Sequence, residues 1–311
     1  FIIIIFVIFL FPQNKSYSQV LSQSIKDYGI ISIMYHRFNE NKYPSTNIRI
    51  DAFKKQMELI ENAKIDFINP KNFESNLISN KGNRKMLLTI DDGFASFYEN
   101  AWPILKKKKI PFILFISTKE VGAFNYMNWE QIKELYKEDF VEIGNHSHSH
   151  EYLVDENSSI IRDDINKSIK IFKKQLGKNS IFFSYPFGEY SLEFKSIIKS
   201  LDFKYAFGQH SGVIDETKDL LELPRFPINE KYGDLKRFKT LIKTLPLKYE
   251  YILPEEKYLT SSNNPPNVRI KFSKGMRNIK NISCYSNEGD VWKKSKINFI
   301  DDLNIKIKLI D

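Results

Sequence analysis

The sequence predicts an α/β fold in which parallel strands curl into a barrel, followed by a small antiparallel β module. Three observations carry this. Between Ile30 and Leu245, short apolar, β-prone runs alternate with amphipathic stretches of helical period, the pattern of a parallel sheet covered by helices, and the number of runs points to closure. The polar residues able to do chemistry gather just after those runs, at the C-terminal strand ends where barrels keep their reactive groups. Beyond about Lys248 the texture changes to alternating polar and apolar residues with Asn/Gly turns.

Taken in order, Ile30-Ile31-Ser32-Ile33-Met34-Tyr35 reads as a first strand that ends at His36. Asp51 is expected to cap a helix from Ala52 to about Ala63 with Phe53, Met57 and Ile60 as its apolar stripe, and 65–68 follows as a strand. Leu87 to Ile90 is a buried strand delivering Asp91, Asp92 and Gly93. A helix over 101–109 has Pro103 near its first turn and Pro111 beyond its end, before a strand over 112–116. A helix over 129–137 and a strand over 141–144 lead into Asn145-His146-Ser147-His148-Ser149-His150. The long helix over 158–176 turns Ile161, Ile165, Ile169 and Phe172 inward and stops at Gly177. A strand over 181–184 enters the turn Tyr185-Pro186-Phe187-Gly188, a helix follows over 192–201, and a strand over 204–207 leads to Gly208-Gln209-His210.

The two ends read differently. Phe1 to Phe11 are wholly apolar and 12–19 polar, so 1–19 is read as a truncated signal peptide or membrane anchor, too short for a full span, and the chain as exported. Residues 20–250 form the barrel, and 251–311 a linker around Ser261–Pro266 with a β-rich module. The formal charge of +9 is spread over helix-like lysine runs without interleaved stacking aromatics. This argues against nucleic acid as a partner and leaves a membrane or cell-envelope surface open. The single cysteine, Cys284, excludes an internal disulfide framework.

The chemistry lies in two clusters. Two adjacent acids at a strand end, followed by two histidines four apart, make an Asp/His/His set for a divalent cation with one carboxylate to spare. With Asp92, His146 and His150 as ligands, Asp91 stays ionised beside an activated water and can accept its proton. His148 should point away. His36 is either a cavity residue or a satisfied buried imidazole. His210, beside Gly208 at a strand end, is placed to be a general acid. Arg225, costly to bury without an acidic partner, either orients Asp91 or anchors its loop.

Thr89-Ile90-Asp91-Asp92-Gly93 and His146-Ser147-His148-Ser149-His150 resemble the T-F-D-D-G and H-S/T-x-x-H motifs of the polysaccharide deacetylases of carbohydrate esterase family 4. The resemblance spans roughly 30–245. It implies a distorted (β/α) barrel, Asp91 as base, and Zn²⁺ on Asp92, His146 and His150, with Co²⁺ or Ni²⁺ as substitutes. It also implies removal of acetyl groups from an N-acetylated polysaccharide. The family's R-P-P-Y-G motif appears as Ser184-Tyr185-Pro186-Phe187-Gly188, without its arginine; Tyr-Pro-aromatic-Gly, with Met34-Tyr35-His36 near the start, is more similar to the exported poly-N-acetylglucosamine deacetylase branch. Arg225 is the natural substitute for that arginine, the Phe187 N–H matches the oxyanion-holding position, and His210 resembles the late general acid.

Two other function classes make distinct expectations. A silent glycan-binding barrel would have lost a ligand or the base, and a carboxylate-pair glycosidase would leave the histidines without a purpose.

Overall fold

A computed structural model describes residues 28–78, 82–288 and 291–309. The apolar stretch read as a leader lies outside them. The main sheet contains β1 (Ile30–Tyr35), β2 (Lys85–Ile90), β3 (Phe112–Ile116), β4 (Val141–Asn145), β5 (Phe182–Ser184), β6 (Tyr205–Phe207), β7 (Val213–Ile214) and β8 (Phe226–Pro227). Their order is β7-β1-β2-β3-β4-β5-β6, with β8 also on β1 and Asp66–Phe67 on β2. All neighbours are parallel except β7, which runs antiparallel to β1.

The curled sheet does not close by pairing β6 with β1. One extended segment spans the gap: Leu223 bridges to Phe207 of β6, and Phe226 and Pro227 pair with Ile33 and Met34 of β1. Arg225 sits in the middle of this closing segment and is fully buried.

Period-two alternation grades the barrel interior. Leu87, Ile113, Phe115, Phe182, Tyr205, Phe207 and Leu223 form one apolar cluster, closed below by Phe73. One step higher on the same inward rows stand Thr89, then Asp91, Ser184 and Arg225, all buried. Met86, Leu88 and Ile90, on the opposite face of β2, join the outer core with Phe53, Met57, Ile60, Phe97 and Leu105.

Helix limits follow local chemistry. Ser158–Leu176 begins at Asn157, whose side chain accepts from the Ser159 and Ile160 N–H groups, and ends at Gly177 with φ 82°. The first helix departs from expectation. It runs Ile50–Asn62 with Arg49 at its N-cap and no side-chain cap. Asp51 lies inside the first turn, near Arg49 (3.5 Å), where a carboxylate complements the helix dipole instead of capping it.

The C-terminal sheet has five antiparallel strands: β9 (Tyr249–Leu253), β10 (Val268–Phe272), β11 (Cys284–Glu288), β12 (Val291–Phe299) and β13 (Asn304–Lys308), ordered β9-β10-β13-β12-β11. It therefore starts before the polar Ser261–Pro266 stretch, which is a loop between its first two strands. Ile279–Asn281 forms a 3₁₀ turn, with Ile279 packed in the apolar core of this sheet.

Candidate active site

Asp91 is the next inward position after Thr89 on β2. Asp92 would face outward, but its φ of 73°, with Gly93 also at 73°, turns the chain so that both acids serve the same opening. Ser147, His150 and Phe187 also hold positive φ (69°, 56° and 58°). Such backbone strain in non-glycine residues persists where the surroundings over-determine it, as at functional sites.

The Asp92 Oδ1 lies 3.3 Å from His146 Nε2 and 3.2 Å from His150 Nε2. One ligand atom from each of the three residues falls within 4.8 Å of the others. His146 Nδ1 is 2.7 Å from the Ser184 carbonyl oxygen. A carbonyl only accepts, so Nδ1 carries the proton and Nε2 presents its lone pair to the cluster. Asp92 Oδ1 is buried yet makes no hydrogen bond, a costly arrangement unless a cation satisfies it. Two imidazoles and a carboxylate converging on an orphaned oxygen fit a divalent metal ion.

Asp91 is gripped on both oxygens. Arg225 Nη1 donates to Oδ1 (2.7 Å) and Nη2 to Oδ2 (2.8 Å), while Nη2 also reaches Ser184 Oγ (2.9 Å), which donates to Asp91 Oδ2 (3.1 Å). Arg225 Nε donates to the Gly208 carbonyl and Nη1 to Thr89 Oγ1. The guanidinium carbon lies 5.5 and 5.7 Å from the Phe115 and Phe207 ring centres, adding aromatic contact to the bidentate pair. Burial pushes the Asp91 carboxyl up, but Arg225, with His146, brings it below the usual value. Asp91 Oδ2 is 3.9 Å from His146 Nε2, so the locked acid borders the ion-binding set.

The loop holding the histidines is itself tied down. Asp164, from the helix Ser158–Leu176, accepts the N–H groups of His148 (2.7 Å) and Ser149 (3.0 Å). Asn145 Oδ1 accepts the Ser147 N–H and the Ser168 hydroxyl. The His148 ring turns away to Thr118 Oγ1 (2.8 Å), as the spacing implied. Asp164 and the Ser184 carbonyl carried no sequence signal, since their roles arise only from tertiary convergence.

A cavity of 330 Å³ opens above the cluster, lined by His36, Asp92, His150, Phe187, Asn229 and Tyr232 among others. His36 therefore faces the cavity, and burial lowers its pKa. Phe187 packs its ring on His150 (5.0 Å) and on Tyr152 (5.6 Å). Phe187 and Gln209 also line a second cleft of 880 Å³, whose walls include Tyr190, Tyr249 and Trp292. His210 faces this second cleft, not the cavity over the cluster. Burial, then the cations Lys257, Arg225 and Lys218, push its pKa down to about 4, which leaves it neutral at pH 7.

Residues 79–206 match the polysaccharide deacetylase family model. Over that stretch the chain resembles the polysaccharide deacetylases. That match contains the acid pair, both candidate ligand histidines and the turn at Phe187. The domain is similar to the poly-β-1,6-N-acetyl-D-glucosamine N-deacetylase of Staphylococcus aureus, at 28% identity over 215 residues, covering 64% of this chain and 73% of the relative. In fold it resembles the Streptococcus pyogenes deacetylase PplD in complex with acetate (TM-score 0.64, 22% identity, 70% of this chain and 100% of that one). It also resembles IcaB from Ammonifex degensii (TM-score 0.63, 24% identity, 70% and 98%). The deacetylase match ends at residue 206, upstream of both Arg225 and the C-terminal sheet.

Proposed function

We propose that this chain is an exported enzyme that hydrolyses the acetamido groups of an N-acetylated cell-envelope polysaccharide and releases acetate. The observation that carries the reading is a buried carboxylate, Asp91, locked by Arg225 beside an Asp92/His146/His150 set that opens into a cavity. The polymer supported best is poly-β-1,6-linked N-acetylglucosamine, the substrate named for the Staphylococcus aureus relative.

Asp92, His146 and His150 would hold Zn²⁺, with Co²⁺ or Ni²⁺ accepted by the same donors. A divalent cation in that position supplies Lewis-acid activation of water and of the acetyl carbonyl. Asp91, kept ionised and oriented by Arg225, takes the proton of the attacking water. The Phe187 N–H is assigned to the developing oxyanion. His210 is assigned to proton delivery at the leaving amine. The cleft beyond Phe187 and Gln209, with Tyr190, Tyr249 and Trp292, would take the sugar units flanking the reacting one.

The test is acetate release from poly-N-acetylglucosamine, chitin oligomers and peptidoglycan, with and without chelator. Asp91→Asn should abolish release while the protein still binds its ion. Release that is indifferent to chelation, or persists in Asp91→Asn, overturns the reading.

A further inference from the structure

The geometry points to a second binding surface: the outer face of the C-terminal sheet is a receptor for a linear polyanion. One face of this sheet is apolar, with Phe272, Ile305 and Ile307 buried against Ile279 and partly buried Val268, Ile270 and Ile297. Alternation then places Arg269, Lys271, Lys294, Lys296, Lys306 and Lys308 together on the other face. Lys271 is neutralised by Glu250 at 2.6 Å. Among the described residues, none of the other five has a carboxylate partner.

The register makes this cluster expensive. Arg269 stands directly opposite Lys306, and Lys296 directly opposite Lys308. Like charges in directly opposed cross-strand positions destabilise a sheet. Lysines that guard exposed edges against unwanted pairing do not explain them, because β13, which supplies Lys306 and Lys308, lies in the middle of the sheet between β10 and β12. A cost borne on central strands implies a partner that repays it.

The surface is also shaped. Lys306 and Lys308, with Asn298 and the Pro265-Pro266-Asn267 loop, line a 290 Å³ hollow that suits one phosphate-like group with an amide donor beside two ammoniums. Same-face neighbours along a strand are about 7 Å apart, a spacing that matches successive phosphates of an extended phosphodiester chain. Around Lys306 the cross-strand positions hold the polar Arg269 and Asn298, while the exposed Trp292 stands at the other end of β12, where it lines the second cleft. The occupant is therefore a phosphodiester-type polymer chain rather than a bilayer. Its role would be to hold the deacetylase domain against an anionic envelope.

Binding of the full chain to long-chain inorganic polyphosphate and to phosphatidylglycerol vesicles, measured across a salt series, tests this. The expected result is polyphosphate binding with a log affinity against log salt slope of about −3 to −5, since each neutralised charge contributes just under one. Lys306→Gln/Lys308→Gln should weaken it about tenfold or more without lowering Tm, because both like-charge pairs are relieved. Lys170→Gln/Lys174→Gln, exposed on a barrel helix and equal in charge change, should leave it within about twofold. Equal loss in both variants, no polyphosphate binding at about 0.15 M salt, or tighter binding to vesicles than to polyphosphate each overturns the proposal.

Discussion

Replacing Arg225 with Met isolates the contact on which the site turns. The guanidinium makes two hydrogen bonds to Asp91 and one each to Thr89, Ser184 and the Gly208 carbonyl. Its removal leaves the fully buried Asp91 carboxylate with only the Ser184 hydroxyl as donor and strips the Gly208 carbonyl of this partner. Breaking a buried pair from one side costs about 3–5 kcal/mol, and an orphaned carbonyl adds about 1 kcal/mol. The variant should therefore melt about 10 °C lower, at roughly 2–3 °C per kcal/mol for a chain of this size. Thermal and denaturant melts of Arg225→Met, Asp91→Asn and the double variant complete the cycle. With both charges gone, the double variant should be more stable than the sum of the single losses by about 2 kcal/mol. Additive losses, within about 0.5 kcal/mol, would refute the view that these side chains act as one unit.

Adding Zn²⁺ to ion-free protein at a hundredfold excess over Kd should stabilise it by about 2.7 kcal/mol. Melts should show that rise retained in Asp91→Asn and absent in Asp92→Ala. Asp164→Ala releases the loop of His146 and His150 and should weaken ion affinity about tenfold or more, read by equilibrium dialysis against wild type. Gly144→Ala places a methyl group 2.2 Å from Phe115 Cδ1, pressing that ring towards Arg225, and should cost about 1–3 kcal/mol in a denaturant melt. Burial raises the Glu142 carboxyl despite Lys178 at 3.6 Å. A raised carboxyl pKa favours folding below the unfolded value and works against it as pH rises through the folded value. Glu142→Gln should therefore melt higher than wild type at pH 7, with the gain closing as pH falls towards about 4.3.

Much of the site was legible because each functional group follows a strand end, and a strand end is readable from one short apolar run and the polar residue that stops it. Asp91, Asp92, His146 and His150 were found that way, and Arg225 from the cost of burying it. The helix Ser158–Leu176 was readable to the residue from its apolar stripe and from Gly177, which marks its end chemically. Other features lay beyond reach. Val213–Ile214 and Phe226–Pro227 are two-residue strands with no period to detect, so the way the barrel closes was invisible. Tyr249–Leu253 is mostly exposed or half-buried and gains its identity from pairing with Val268–Phe272. His210 follows a strand end as expected, but the cleft it enters is set by packing around Gly208 and Gln209 that no local window contains. Asp164 and the Ser184 carbonyl act through partners distant along the chain, which no local window contains.

The closing segment separates two events in the life of the chain. The three candidate ion ligands lie between Asp92 and His150, whereas the arginine that locks Asp91 arrives only at position 225. During synthesis from the N-terminus, the donors for the cation leave the ribosome well before the residue that arms the neighbouring carboxylate. A chain ending between Gly188 and Pro224 would hold all three candidate donors and the Ser184 carbonyl that orients His146, yet lack the guanidinium that locks Asp91.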